Sequence, residues 1–509
     1  MPLLNRDALG VRRRVAGIVL LLLVASTTGV LAAPPNIVFL LTDDLDARSA
    51  ATMPRLQELT RRGTSFSAAY ATTPMCVPAR ATLLTGKYPQ NTGVRSNRPP
   101  SGGYQAFHQG GQEADTVAVW LQKAGYRTAL IGKYLNWYPE GAAPLHVPKG
   151  WSRWVASATY ASMHAKFNYR LNEDGRSVAY GAAPEDYSTD VYAAKARAFI
   201  ADAADAGSPF ALFLWLPSPH TPEQPAPRHA GLFADARAPR LPSFPERDTS
   251  DKPPFMRFLP LDAAEVAEID RSYRQRLRML HSVDEALGSI QDLLAARGLA
   301  RRTYIVVSSD HGWHQGEHNQ MPMKGRPHEE DIRVPLIVAG PGVPAGRTID
   351  RLVGNADLAP TFAAWAGAAP AAAVDGRSFA PLLAAPDPRQ VPWRKRLPIL
   401  RAIEGTEPVT RWPSYAPEAA KTEGYACLEE VVPATSLRWP EWRGLRGERV
   451  TYVEHVTGDR ELYYGPVGDP YQLRNVFCRA TPEFRDQLAR ATAALATCRA
   501  ESCRRAEDR

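Results

Sequence analysis

The chain has 509 residues, 44% hydrophobic and 22% charged, with 45 Pro and 36 Gly. That composition excludes a disordered or fibrous chain, and the length exceeds one ordinary domain, so a large domain with a smaller companion is expected. The formal net charge of +8 falls to +5 without the four Arg and one Asp of residues 1–33, and no concentrated basic stretch beyond them supports nucleic-acid binding.

The chain opens on Arg6, Arg12, Arg13 and Arg14, then an apolar run from Val15 to Ala25 and small residues up to Ala33. A basic region, a short apolar stretch and small residues before Pro34 predict a signal peptide over 1–33. The run is too short to span a bilayer comfortably. The mature chain is expected outside the cytoplasm, secreted or periplasmic, without a stable membrane span. In such an oxidising compartment Cys427, Cys478, Cys498 and Cys503 can form two disulfides, with three possible pairings. Cys76 is then left over.

A continuous apolar strand at 36–42, of the kind buried on both faces of a sheet, ends directly in Asp43-Asp44. A helix follows at 53–62, closed by Gly63, and a second is expected to start at Pro78. Asp115 is read as the cap of a helix reaching Ala124, with Gly125 leading into a strand from Tyr126 to Ile131. The strand at 210–216 runs into Ser218-Pro219-His220, and the Pro-rich stretch 217–260 reads as a long loop near a site entrance. A long helix is expected at 262–297, a strand at 304–309 ending at Asp310-His311, a strand at 334–339 and a helix at 357–366. Strands alternating with helices predict a doubly wound α/β domain over 34–384. Residues 385–509 open with a Pro- and Arg-rich linker, hold strand-like pieces such as 449–454 and a helix at 482–497, and read as a smaller α+β domain.

Charged residues fall just beyond the carboxyl ends of the apolar strands: Asp43, Asp44, His220, Asp310 and His311. In open α/β sheets that edge is where ligands bind. Two adjacent carboxylates repel unless a cation compensates, and hard oxygen donors suit Ca²⁺ or Mg²⁺. His314 and His318, in Gly312-Trp313-His314 and Gly316-Glu317-His318, lack a helical spacing to His311 and read as loop residues rather than zinc ligands.

The most specific segment is Cys76-Val-Pro78-Ala-Arg80, continuing to Thr85-Gly86. It resembles the signature of the formylglycine sulfatases, in which a Cys with Pro two on and Arg four on is oxidised to an aldehyde, and so implies their alkaline phosphatase-like α/β fold, a large mixed sheet flanked by helices on both faces. The resemblance runs from about Asn36 to Gly342. It implies that Cys76 becomes formylglycine (3-oxoalanine) by the action of a formylglycine-generating enzyme. The aldehyde hydrate offers one hydroxyl to attack sulfur and a second to expel sulfate by regenerating the carbonyl. It also implies a divalent cation, Ca²⁺ first and Mg²⁺ second, on Asp43, Asp44, Asp310, His311 and residue 76. Sulfatases usually place Asn where His311 stands. Arg80 favours negative charge beside residue 76, Lys133 and Lys324 match positions that stabilise sulfate charge, and His220 matches the leaving-group acid.

Within the family the segments Gly132-Lys-Tyr-Leu-Asn136, Arg276 to Asp284 and Val334 to Gly342 resemble N-acetylglucosamine-6-sulfatases. The implied function is hydrolysis of sulfate esters of sulfated sugars or glycosaminoglycans. The enzyme alternative is a phosphonate monoester or phosphodiester hydrolase of the same superfamily. A non-catalytic binder of sulfated glycans is opposed by the intact Cys76, Arg80, Asp43, Asp44 and Asp310.

Overall fold

The computed structural model describes residues 33–370, 372–402, 439–465 and 467–509; the basic and apolar segment at 1–32 and Cys427 lie outside the described residues. Strand β1 (Asn36–Thr42) is buried along its whole length. Its alternate side chains serve two cores: Ile37, Phe39 and Leu41 pack on one face of the sheet and Val38 and Leu40 on the other. A period of two residues with both phases apolar is what a central strand needs. Each such side chain stabilises the fold by roughly 1.5–3 kcal/mol when fully buried.

β1 runs parallel to β2 (Phe210–Trp215) on one side and β3 (Thr303–Ser309) on the other. Beyond β3 the ten-stranded mixed sheet continues through Leu336–Ala339, Thr64–Phe66 and Arg347–Ile349. Beyond β2 it continues through Arg127–Gly132 and Arg153–Ser157, then the antiparallel pair Tyr169–Glu173 and Arg176–Tyr180. Helix α1 (Cys76–Thr85), Val117–Lys123 and Leu358–Ala366 contribute to one core. Pro54–Arg62, Ser188–Asp205 and the 34-residue α2 (Ala263–Ala296) contribute to the other. Asp262 caps α2 and forms a capping box with Glu265.

A four-stranded antiparallel sheet (Arg396–Arg401, Trp442–Gly447, Thr451–His455, Arg460–Tyr463) lies towards the C-terminus. Helix Pro482–Thr497 packs on it through Leu488 and Leu495 against Leu445, Tyr452 and Leu462. Its Leu397, Ile399 and Trp442 also share a cluster with Tyr70 and Ile332, and residues 34–509 form one compact unit.

Three local expectations are corrected. Helix α1 starts at Cys76, two residues before Pro78. The first four amides of a helix have no partner within it, so proline is tolerated at the third position. Asp115 does not cap Val117–Lys123; its Oδ1 accepts from Trp120 Nε1 (2.5 Å) instead, and the helix follows Thr116. The strand expected from Val334 begins at Leu336, since Pro335 has no amide to give the ladder and Val334 N is spent on Ala69 O (3.0 Å). Helix Ser188–Asp205 was not anticipated, because its apolar stripe is diluted by alanines. Of the late cysteines, Cys498 is bonded to Cys503, and Cys478 is also disulfide-bonded.

One glycine sets the approach of two strands. Gly132 has φ +122°, and a Cβ there would lie 1.9 Å from Trp215 O, while Lys133 N donates to that same oxygen (2.7 Å). Gly132→Ala combines backbone strain with a clash against backbone and should cost about 2–4 kcal/mol, read as a lowered urea midpoint at unchanged slope.

Candidate active site

β1 and β3 deliver Asp43-Asp44 and Asp310-His311 to adjacent positions, because Asn36–Thr42 pairs with Thr303–Ser309 in register. Helix α1 points its first turn at the same spot, and Asn97 Oδ1 fixes that end by accepting from Val77 N (2.8 Å). The Cys76 thiol, 1% exposed, lies 3.6 Å from Asp43 Oδ1, 3.5 Å from His311 Nε2 and 3.1 Å from Lys324 Nζ. It is the free cysteine among the described residues.

The carboxylates are buried and compensated. Arg80, fully buried, donates through Nε to Asp310 Oδ2 (2.9 Å), has Nη2 3.3 Å from Asp43 Oδ2, and anchors Nη1 on Lys133 O (2.9 Å). Lys133 Nζ bonds Asp43 Oδ2, and Lys324 Nζ bonds Asp44 Oδ1 (2.6 Å). Burial alone would raise the Asp43 carboxyl, but Lys133, His220, Arg80 and Lys324 hold it well below the usual carboxylate range. Burial opposes the charge on Lys324, yet Asp44 and residue 76 raise its ammonium well above its ordinary value. His311 Nδ1 faces Gly312 O (3.0 Å), which leaves Nε2 for the site. Burial works to lower this imidazole, but Asp310 and residue 76 together outweigh it, raising it to about 9.

Asp44 sits at φ +70°, uncommon for a residue with a Cβ. The surroundings enforce it: Asp44 N donates to Asp310 Oδ1 (3.3 Å), and Arg276 Nη2 donates to Asp44 O (2.5 Å). Asp44 Oδ2 is buried with no hydrogen-bond partner. Donor atoms of Asp43, Cys76, Asp310 and His311 lie within 4.8 Å of one another, as do those of Asp43, Asp44, Cys76 and His220. A bare carboxylate oxygen beside a mostly hard-oxygen donor set fits a divalent cation.

His220 stands at the rim. Its Nδ1 faces Thr221 O (2.6 Å), directing Nε2 inward to 3.8 Å from Asp44 Oδ2. Burial, and then Lys324, push it well below its ordinary value. A pocket of about 620 Å³ opens over Cys76, Lys324 and His220. Thus Cys76, Arg80, Lys133, His220, Lys324, Asp43, Asp44, Asp310 and His311 all converge. His314 and His318 do not: His314 bonds Asp331 (2.8 Å) and His318 bonds Glu246 (2.7 Å).

Three residues with roles in this geometry were not singled out from the sequence. Arg276, 1% exposed on α2, holds the Asp44 carbonyl; an arginine on the buried stripe of a long helix was the available signal. Asn97 caps α1 from a loop. His164 stacks on His220, with ring centroids 3.9 Å apart and planes at 6°; nothing local marked it.

A mixed α/β sheet carries a helix N-terminus, a buried thiol and a carboxylate cluster at its strand ends, the edge of an open α/β sheet at which ligands bind. The sulfatase family model matches residues 35–368, and the chain belongs to the sulfatase family. It is 31% identical over 494 residues to the N-acetylglucosamine-6-sulfatase of Capra hircus, covering 92% of this chain and 85% of that protein. It is 37% identical over 359 residues to an extracellular sulfatase SULF-1 homolog of Drosophila melanogaster, 69% of this chain. The chain spans only 31% of that relative's length and 52% of a nematode counterpart's. A solved structure of a protein in complex with its substrate D-glucosamine-2-N,6-O-disulfate superposes with TM-score 0.68 at 22% identity, covering 90% of this chain and 97% of the other.

Two predictions test the electrostatics. Arg80→Ala leaves Asp310 and Asp43 short of a buried partner and should cost about 3–5 kcal/mol of stability in chemical denaturation. Glu317 is pushed up to about 8 by burial and by Glu330. A carboxyl raised in the fold binds a proton that the unfolded chain has released, so stability falls as pH rises from about 4.5 to about 8. Glu317→Gln should flatten that decline in urea midpoints measured across the window.

Proposed function

We propose that the chain hydrolyses sulfate esters of sulfated sugars, of the glucosamine-6-sulfate type, using residue 76 as a formylglycine. The observation that carries this is the convergence on one buried thiol, at a helix N-terminus, of Lys324, His311 and Asp43 from remote parts of the chain. A structural cysteine has no need of such surroundings. The encoded sulfur stands in for the oxygens of the hydrated aldehyde, which would supply the attacking hydroxyl. Asp43, Asp44, Asp310 and His311 would hold a divalent cation, with Ca²⁺ favoured by the oxygen-rich set, and the cation would supply Lewis-acid polarisation of sulfate and hydroxyl oxygens.

The chain's own residues divide the remaining work. Lys324 and Lys133 set positive charge beside residue 76, where a sulfate group gains negative charge on its oxygens. Arg80 neutralises Asp43 and Asp310 and fixes their oxygens. Asp43, held ionised, can accept a proton from the group at residue 76. His220 is assigned the proton delivered to the leaving oxygen. Its Nδ1 is committed to Thr221 O, so Nε2 can donate only from the imidazolium, which an incoming sulfate anion stabilises.

All of these residues fall in 34–384, to which we assign the chemistry. Export from the cytoplasm agrees with the Cys498–Cys503 bridge. No described helix is long and apolar enough to cross a membrane. Maturation requires a formylglycine-generating enzyme.

The test is sulfate release from N-acetylglucosamine-6-sulfate and an aryl sulfate, with a phosphonate monoester in parallel. Wild-type protein should favour the sulfates. Cys76→Ala should lower kcat by about 10⁴-fold or more while keeping its thermal midpoint, and Lys133→Ala and Lys324→Ala should each lose about 10²–10³-fold. Faster turnover of the phosphonate, or substantial sulfate release by Cys76→Ala, would contradict the assignment.

A further inference from the structure

A second group of metal-ligating side chains lies outside the catalytic floor. His108 on the helix Gly103–Gln109, Glu113 in the turn Gln112–Ala114, and His146 bring two ring nitrogens and a carboxylate oxygen within 4.8 Å of one another. His108 Nδ1 lies 2.7 Å and His146 Nε2 3.1 Å from the same oxygen, Glu113 Oε2. The two rings meet edge-on with centroids 5.3 Å apart. The chemistry above uses none of the three.

Each donor is held by contacts around it. Gly111, at φ +69°, reverses the backbone between His108 and Glu113, a conformation glycine adopts without strain. Tyr104 OH donates to the other carboxylate oxygen, Glu113 Oε1 (2.9 Å), and lies 3.2 Å from His108 Nδ1; it orients the carboxylate so that Oε2 meets both rings. His146 is anchored through its backbone, where its carbonyl accepts from Tyr138 OH and from Asn172 Nδ2 (3.2 Å). Among the described residues no Lys or Arg pairs with Glu113, whose ion partners are the two histidines. The group His229, His281 and Glu285 differs on this point: Arg228 Nη2 lies 2.6 Å from Glu285 Oε2 and already supplies the positive charge that an ion would bring. The side chains of His108 and His146 are each 27% exposed, so an ion can reach them from solvent.

We propose that His108, Glu113 and His146 bind a zinc ion at a site separate from the catalytic floor, with water in the fourth position. Two imidazoles and one carboxylate form a ligand set suited to zinc, and the nitrogen-rich donors select it over the hard cations that the aspartates favour. The bound ion ties the helix Gly103–Gln109 to the segment that runs from Lys133 to His146. Tyr104 N donates to Asn136 O (2.8 Å) within that segment, and Asn136 lines the pocket over Cys76. The zinc is therefore a tie behind one wall of the pocket, and an ion that binds only the folded chain stabilises it by mass action.

The experiment is dialysis of the tag-free protein against zinc chloride in excess calcium, which competes for the oxygen-rich floor, followed by metal analysis of wild type, His108→Ala, Glu113→Gln and His146→Ala. Wild type should retain about one zinc per chain more than each variant. Saturating zinc should raise the thermal midpoint of wild type by about 2–4 °C and leave the three variants unmoved. Glu113→Gln preserves the side-chain shape and its contact with Tyr104, and so tests the site even if a histidine variant fails to fold. Wild type that retains no zinc, or variants that retain as much as wild type, overturns the site and leaves a hydrogen-bonded triad. Zinc retained by wild type without a rise in its midpoint overturns the tie. Neither readout involves sulfate release, so the sulfatase reading stands or falls separately.

Discussion

Three carboxylates, Asp43, Asp44 and Asp310, are held where no solvent reaches them, and most of the local architecture answers that constraint. Burying an ionised group costs several kcal/mol unless partners surround it. Arg80 spans two of the carboxylates, Lys133 takes the outer oxygen of Asp43, and Lys324 takes Asp44. Each cation comes from a different element, so the pairs also bind together the end of β1, the first turns of α1, the segment after Gly132 and the loop after β3. Breaking one pair is thus a change in fold stability as well as in charge. Asp44 Oδ2 remains without a hydrogen-bond partner, the vertex at which a bound cation would complete the arrangement.

The same cluster tunes what a reacting group would meet. The floor is rich in negative charge, and Lys324 sets a positive charge beside the thiol. His220 lies on the boundary, its imidazole pushed below its ordinary value by burial and by Lys324. The stacked His164 ring and the Lys166 ammonium, which donates to the carbonyls of His164 and His220 (2.8 and 3.2 Å), leave that imidazole little freedom to swing away.

Much of this was legible in the sequence, and for a physical reason. The strands that build the sheet centre are buried on both faces, so 36–42, 210–216 and 304–309 read as uninterrupted apolar runs, and the charged residues after them stand out by contrast. The segment from Cys76 to Gly86 carried the family, and with it the set that converges in space. Boundaries failed where side-chain partners, not local preference, decide them: Trp120 takes Asp115 away from its expected capping role, and Asn97 lets α1 begin at Cys76. Residues such as Arg276, Asn97 and His164 could not be assigned, because their significance lies in contacts across long sequence separations. His314 and His318 illustrate the converse, for they share a motif with His311 yet serve separate buried hydrogen bonds to Asp331 and Glu246.

The account stands on the chemical identity of residue 76 in active protein. Peptide mass spectrometry across Cys76, on protein purified by its sulfate-releasing activity, should find the aldehyde, with specific activity rising in proportion to the fraction converted. Active protein carrying only the unmodified thiol would contradict the account and move the nucleophile elsewhere in the pocket.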